Sequence, residues 1–313
     1  MKKFSRLNLG VILILSIQNS VCNEQLQLLK SENLTYFPSA SAIEFYNNHL
    51  YVIGDDATQL LVLDGNYKVV DSITIFKSSE RRIPKNIKPD LEASNLLEHN
   101  KTYYLLAFGS LSTTEREKVF VLQMNNRDID TLNISAIKHK LKELNIPEVN
   151  IEGAAIMKEQ LILSNRANTT HTTNHLISIP HFSPDSISAD AIHITSMIFP
   201  KEKEVKGISG LAYLPGKDLL LFTASVEETP DAISDGAISD SYIGYISKAS
   251  QKLTRSTVEP DKIINLSTVL KGKRKYKIES IAIEKATGNI LSIHLAADND
   301  NGESTLFKLN WKL

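Results

Sequence analysis

Residues 150–157 read NIEGAAIM, a run of small and apolar residues interrupted by one carboxylate, Glu152. A short apolar run of this kind reads as a buried strand, where an unpaired charge is costly. Four near-copies explain why it is tolerated: SAIEFYNN at 41–48, PDLEASNLL at 89–97, KGISGLAYL at 206–214 and YKIESIAI at 276–283. Each leads through a short turn into a β-rich run that ends in polar residues, and then into another strand. The anchors Glu44, Glu92, Glu152, Ser209 and Glu279 lie about 48 to 70 residues apart. Units of three or four antiparallel strands at that period are the blades of a β-propeller.

The turns agree with this reading. Asp64-Gly65-Asn66, Pro215-Gly216-Lys217 and Thr287-Gly288-Asn289 each separate two strand-like runs with residues suited to tight reversals. The fifth unit ends the chain one strand short, and QLQLLKSENLTYF at 25–37 supplies a spare strand before the first anchor. The expected fold is therefore all-β, a five-bladed propeller closed by its N-terminal strand, which leaves no open sheet edge. A degenerate sixth blade within 252–275 is the alternative, and 135–146 is the one amphipathic helix expected.

The 313 residues, 42% hydrophobic and 23% charged with a net charge of -1, suit a single globular domain over 23–313. There is no basic surplus that would point to nucleic acid. At the start, Lys2, Lys3 and Arg6 precede an apolar stretch from Leu9 to Ile17 and then small polar residues. That order is a secretory signal over 1–22, too short for a membrane anchor, and places the chain outside the cytoplasm. Cys22 is the only cysteine, so no intramolecular disulfide forms. It is also placed to be the acylated first residue of a lipoprotein, the one route to a membrane.

In a propeller the first strand of each blade lines the central channel, so equivalent anchor glutamates converge. Carboxylates brought together share protons, bind a cation or pair with bases. Oxygen ligands without cysteine favour calcium or magnesium over zinc. Glu44, Glu152, Glu279 and Asp298 are the candidate ligands of such a cation. A second polar set lies where each second strand runs out: Asp55-Asp56, Gly109-Ser110, Asn165-Arg166, Glu227-Glu228 and Asp298-Asn299-Asp300. From these come the candidate ligand-binding residues Asp55, Asn165, Glu227 and Glu228, joined by His171 on the rim. Glu92 and Glu152 are the candidate catalytic carboxylates, and Arg166 an anion clamp. The fourth unit also carries a long acidic loop with Glu227, Glu228, Asp231, Asp235 and Asp240, a possible lid or cation-binding arm.

The anchors NIEGAA at 150–155 and DLEAS at 90–94, with acid-rich strand ends, resemble the phytase-like esterase propellers of secreted bacterial proteins. More distantly they resemble calcium-dependent gluconolactonase and paraoxonase propellers. The resemblance implies calcium held by Glu44, Glu152 and Asp298, and metal-assisted hydrolysis of an ester or phosphoester. Ser209 departs from the pattern, and the run of lysines and arginines that phytate would require is not seen around these strand ends. The rival expectation is a non-catalytic propeller that binds a glycan, peptide or partner protein through its rim. The expected partner overall is a small-molecule, glycan or peptide ligand at the channel mouth, and the expected state is a monomer. GISGL at 207–211 lacks the final glycine of a nucleophile elbow, His171 and His175 lie in a loop sequence rather than a zinc-binding helix, and no phosphate-loop glycine pattern occurs.

Overall fold

The computed structural model describes residues 25–78, 80–200, 204–232, 236–270, 275–299 and 301–313. The expected signal with Cys22, and Asp235 and Asp300 of the acidic loops, lie outside them. β1 (Gln25–Leu34) comes first and belongs to the last blade. Blade I is β2 (Ala40–Tyr46), β3 (His49–Gly54), β4 (Gln59–Leu63) and β5 (Val69–Thr74). Blade II is β6 (Leu91–His99), β7 (Thr102–Gly109), β8 (Lys118–Gln123) and β9 (Ile129–Asn133). After α1 (Ser135–Glu143), blade III runs through β10 (Ile151–Met157), β11 (Gln160–Asn165), β12 (Asn174–Pro180) and β13 (His193–Met197).

Blade IV begins with β14 (Lys206–Leu214), β15 (Leu219–Glu227) and β16 (Ile238–Ser247). The stretch offered as a sixth blade divides between existing ones. After α2 (Ala249–Lys252), β17 (Thr257–Val258) adds a short parallel strand to blade III beside β13, and β18 (Lys262–Asn265) completes blade IV. Blade V is β19 (Lys277–Thr287), β20 (Ile290–Asp298) and β21 (Ser304–Lys312), with β1 antiparallel to β21 as its outer strand. The ring thus closes as expected, with five blades.

Side chains follow from this stacking. A middle strand such as β20 (ILSIHLAAD) is covered on both faces by neighbouring blades and reads as a nearly continuous buried run, whereas outer strands such as β5 and β9 are half exposed. Five apolar clusters result, one at each blade interface. Ile137 and Leu141 of α1 are buried in the cluster between blades II and III, so the expected helix caps that interface. At the closing interface Tyr67 of blade I and His294 of blade V share a hydrogen bond of 2.8 Å, with Phe45 stacked on the imidazole. Burial pushes that imidazole down to about 4, so it is neutral.

The inner strands share one irregularity. Each carries an extra, unpaired residue near its start: Ser41 in β2, Glu92 in β6, Glu152 in β10, Ser209 in β14 and Glu279 in β19. A bulge re-aims a side chain and bends the strand; repeated five times, it aims one residue per blade at the same level of the channel. The alignment of blade I shifts accordingly. The ring member is Ser41 and not Glu44, because ASAI at 40–43 is the counterpart of IESI at 278–281. Both serine members tie to the next inner strand, Ser209 donating to the Ile278 carbonyl at 2.5 Å and Ser41 to that of Leu91.

Candidate functional site at the channel mouth

The mouth is built from the bulge ring and from residues two positions earlier, which share its side of the strand. Ser39, Asp90, Asn150 and Lys277 hold that earlier position and line a cavity of about 100 Å³ with Ser41, Glu92, Glu152 and Glu279. Strand ends and loops add Asp55, Lys88, Arg116, Arg166, Glu227 and Asp298. Such a cavity holds several waters or one small polar group. In blade IV the earlier position is Gly207, and the reason is steric: a Cβ there would lie 2.6 Å from Arg166 Nε.

Two ion-pair networks organise these charges. In the first, Arg166 donates to Glu152 (3.2 Å), to Ser225 (3.0 Å) and to Glu227 (3.0 Å), and lies 3.6 Å from Glu279. Lys277 joins Glu279 (2.9 Å) to Glu227 (3.3 Å). This network ties blades III, IV and V. The arginine is buried, which alone would lower its pKa, but Glu152, Glu279 and Glu227 outweigh burial and hold it above its ordinary value. Burial raises Glu227 too, yet Lys277 and Arg166 bring it below the usual carboxylate range. Glu152 differs: burial outweighs Arg166, Glu279 adds repulsion, and its carboxyl is pushed up to about 7.

The second network ties blades I and II. Lys88 bridges Asp55 and Asp90, the latter at 2.7 Å, and Arg116 donates to Asp90 at 2.6 Å, as does the Ser110 hydroxyl. Glu92 lies between the two networks. Among the described residues its carboxyl makes no hydrogen bond, and burial, with repulsion from Asp90, Glu152 and Asp55, raises its pKa well above the ordinary value against the pull of Lys88. These surroundings favour its protonated form.

Residues 36–310 match the sequence model of a family of unknown function, DUF6929. The chain belongs to this family. No curated protein matches this DUF6929 chain in sequence. Among solved structures, the DUF6929 chain is similar to glutaminyl cyclase of Myxococcus xanthus, with a TM-score of 0.52 and 12% identity over 92% of this chain and 97% of that one. It is also similar to virginiamycin B lyase of Staphylococcus aureus, with a TM-score of 0.41 and 12% identity over 91% and 99%. The likeness to the glutaminyl cyclase, at this identity, shows the propeller fold alone. The likeness to phytase-like esterases is accordingly shown as far as the β-propeller and no further.

Of the residues anticipated for the DUF6929 site, Asp55, Glu92, Glu152, Arg166, Glu227, Glu279 and Asp298 come together at the mouth. Glu44 does not. Three residues along from the ring, its half-buried carboxyl accepts from Ser94 at 3.1 Å, and desolvation pushes it up to about 8. Glu228 is exposed beside the mouth. Asn165 is buried in a structural role, accepting from the Asn150 amide at 2.7 Å and donating to the Glu148 carbonyl at 3.1 Å. With His171 and His175 it lines a separate rim pocket. The acidic loop leans on blade III, where the Ala232 amide donates to Glu148 at 2.7 Å and the Thr169 amide to the Thr229 carbonyl at 3.1 Å.

Of the expected calcium set, Glu152, Glu279 and Asp298 line the mouth and Glu44 does not. Among the described residues the one trio of acids whose oxygens lie within 4.8 Å is Asp55, Asp90 and Glu92. Lys88 already places an ammonium on two of these, and a guanidinium sits on Glu152 and Glu279. As arranged, these residues do not fit a calcium ion, which takes six to eight oxygens. Sequence reading missed the bases. Lys88 and Lys85 reach the mouth from the loop between blades I and II, and Arg116 and Lys277 complete the set, so basic residues do surround these strand ends. The two-residue spacing of Asp90 from Glu92 and Lys277 from Glu279 was the available signal.

Proposed function

We propose that the channel mouth binds a small polar substrate and hydrolyses a carboxylic ester in it by acid–base catalysis, with Glu92 as the proton donor. The observation that carries this reading is the Glu92 carboxyl, which lines the cavity, makes no hydrogen bond among the described residues, and sits where burial and the carboxylates of Asp90, Glu152 and Asp55 favour its protonated form. A carboxylic acid kept protonated near pH 7 is suited to protonate a leaving group. Glu152, at about 7, is ionised in a large fraction of molecules at neutral pH and can accept a proton from water.

The step balances without a further reactant. Water adds to the ester carbonyl and loses a proton to Glu152; the carbon–oxygen bond to the alcohol breaks as Glu92 protonates the departing oxygen. Proton exchange with solvent then restores both groups. Arg166 and Lys277 act on this chemistry by positioning Glu152. Arg166 is surrounded by three carboxylates, which weakens its reading as an anion clamp. The excess of acids around the cavity disfavours a phosphoester and favours a neutral or cationic substrate. The basic and apolar leader supports action outside the cytoplasm.

A second reading, non-catalytic ligand binding, draws on the same pairing of Arg166 with three carboxylates, since such a network also serves to hold blades together. Assay of a panel of short carboxylic esters at pH 7 separates the two. Hydrolysis by the wild type that falls about 100-fold or more in Glu92→Gln, with folding retained, is the expected result. An unchanged rate in that variant removes Glu92 from the chemistry, and no hydrolysis of any ester by the wild type favours the binding reading.

A further inference from the structure

Beside the mouth, and sharing Ser39, Asp55, Lys85, Lys88 and Asp298 with it, a groove of about 410 Å³ opens between the loop carrying Arg82 and the turn at Gly302. The two spaces differ in size and in the carboxyl groups they meet. The mouth, at about 100 Å³, takes only a short acyl group. The groove has room for about a dozen non-hydrogen atoms, at the roughly 30 Å³ that a water occupies in the liquid. Glu92 stands on the groove's side of the mouth. One of its oxygens lies within 4.8 Å of an oxygen of Asp55, which lines both spaces, whereas Glu152 lines the mouth alone. An alcohol protonated by Glu92 therefore departs toward the groove.

The wall of the groove sets the chemistry of that alcohol. Its acids Asp55, Asp56 and Asp298 are matched by the bases Arg82, Lys85 and Lys88, with Arg82 paired to Asp56 and Lys88 to Asp55. A balanced wall has no net field to draw an ion. Among the described residues Ile83, itself buried, is the one large apolar residue at the wall, so an alkyl chain would strip water from charged groups and return no hydrogen bond. Donors and acceptors stand there together. Arg82 is exposed and keeps most of its N–H groups beyond its bonds to Asp56 and Ser39, and half-buried Asp298 is an acceptor. An ammonium only donates and a carboxylate only accepts; a hydroxyl does both.

We infer that the groove holds the alcohol part of the substrate and that this part is a neutral polyhydroxyl group, a sugar unit, so that the protein removes short acyl groups such as acetyl from carbohydrate hydroxyls. The inference rests on the hydrolytic reading of the mouth and names its substrate class. Water adds to the acetyl carbonyl and gives a proton to Glu152; the bond from the carbonyl carbon to the sugar oxygen breaks as Glu92 protonates that oxygen. Acetic acid and a free sugar hydroxyl are the products.

The test compares mono-acetylated methyl glycosides of glucose, galactose, mannose and N-acetylglucosamine with ethyl acetate, acetylcholine and the hexanoyl ester of the best glycoside, all at pH 7. At least one glycoside acetate is expected to exceed both ethyl acetate and acetylcholine about tenfold or more in kcat/KM, and its hexanoyl counterpart to fall about tenfold below it. Arg82→Gln is expected to reduce the preference for the glycoside about tenfold, through KM. Equal rates on glycoside acetates and ethyl acetate, a preference for acetylcholine, no loss with the hexanoyl ester, or a preference unchanged in Arg82→Gln overturns the inference and leaves hydrolysis at the mouth standing. If Arg82→Gln melts early, competition in the wild type decides: the deacetylated glycoside inhibits hydrolysis of ethyl acetate more strongly than butan-1-ol does, and equal or no inhibition counts against the groove. If no ester is hydrolysed the catalytic reading falls, and calorimetric titration with the methyl glycosides settles the groove, binding supporting a sugar site and its absence overturning it.

Discussion

Replacing Arg166 by methionine is expected to lower the unfolding free energy by about 3–5 kcal/mol, read from denaturant melts. The side chain is 5% exposed and meets Glu152, Glu227 and Glu279, which are equally enclosed. Methionine keeps most of the volume and removes the charge, so three carboxylates from three blades then face one ammonium, that of Lys277. The cost is that of leaving buried charge uncompensated, which exceeds the net worth of the pairs themselves. Gly207→Ala acts on the same element by steric means, because the new Cβ meets Arg166 Nε and backbone oxygen of Ala167 at under 3 Å. It is expected to destabilise in the same direction. A loss below about 1 kcal/mol for Arg166→Met would mean that water screens the network, as at a protein surface.

Deleting residues 25–34 is expected to abolish recovery of folded, soluble protein. β1 pairs with β21 along its whole length, and without it the edge of β21 is open and the cluster containing Trp311, Phe307 and Leu309 loses its cover from Leu26 and Leu28. An exposed strand edge beside apolar side chains is a template for aggregation. A control separates this role from a general intolerance of change. Gln25 lies opposite Lys312, so the chain ends of the closed blade are neighbours. Joining 313 to 25 through a short turn and opening the chain near residue 36 preserves every strand pairing, and this permutant is expected to fold. A soluble, cooperatively melting deletion variant would show that the ring does not need its closing strand.

Fold and site were not equally legible. Blade number could be read because its signals are local, each anchor lying close to its own turn and strands, whereas closure, which pairs 25–34 with 304–312, was legible only by counting strands. Register within a strand is less legible than strand number, because a shift of a few residues leaves the apolar pattern nearly unchanged. A carboxylate at Glu44 drew the eye from Ser41, although the small residue after the ring member, Ala42 beside Gly153, Gly210 and Ser280, marks the true position. The ion pairs were beyond a local reading. Arg166 finds Glu227 61 residues away and Lys88 finds Asp55 33 residues away, and nothing in the intervening sequence specifies either distance. They arise when the ring closes and brings strand ends from separate blades to one level.

Glu92 stands in the mouth between two ion-pair networks, where burial and neighbouring carboxylates favour its protonated form. Its folded pKa is raised, so the folded protein retains a proton that the unfolded chain gives up as pH passes the ordinary glutamate range. Glu92→Gln, which mimics the neutral acid, therefore gains stability relative to the wild type as pH rises above that range. The most direct measurement is the side-chain carboxyl carbon resonance of Glu92 followed from pH 3 to 9, assigned by its loss in Glu92→Gln. The expected result is a titration midpoint displaced well above the ordinary glutamate range. An ionisation midpoint near that of an ordinary glutamate, about 4.3, would contradict it.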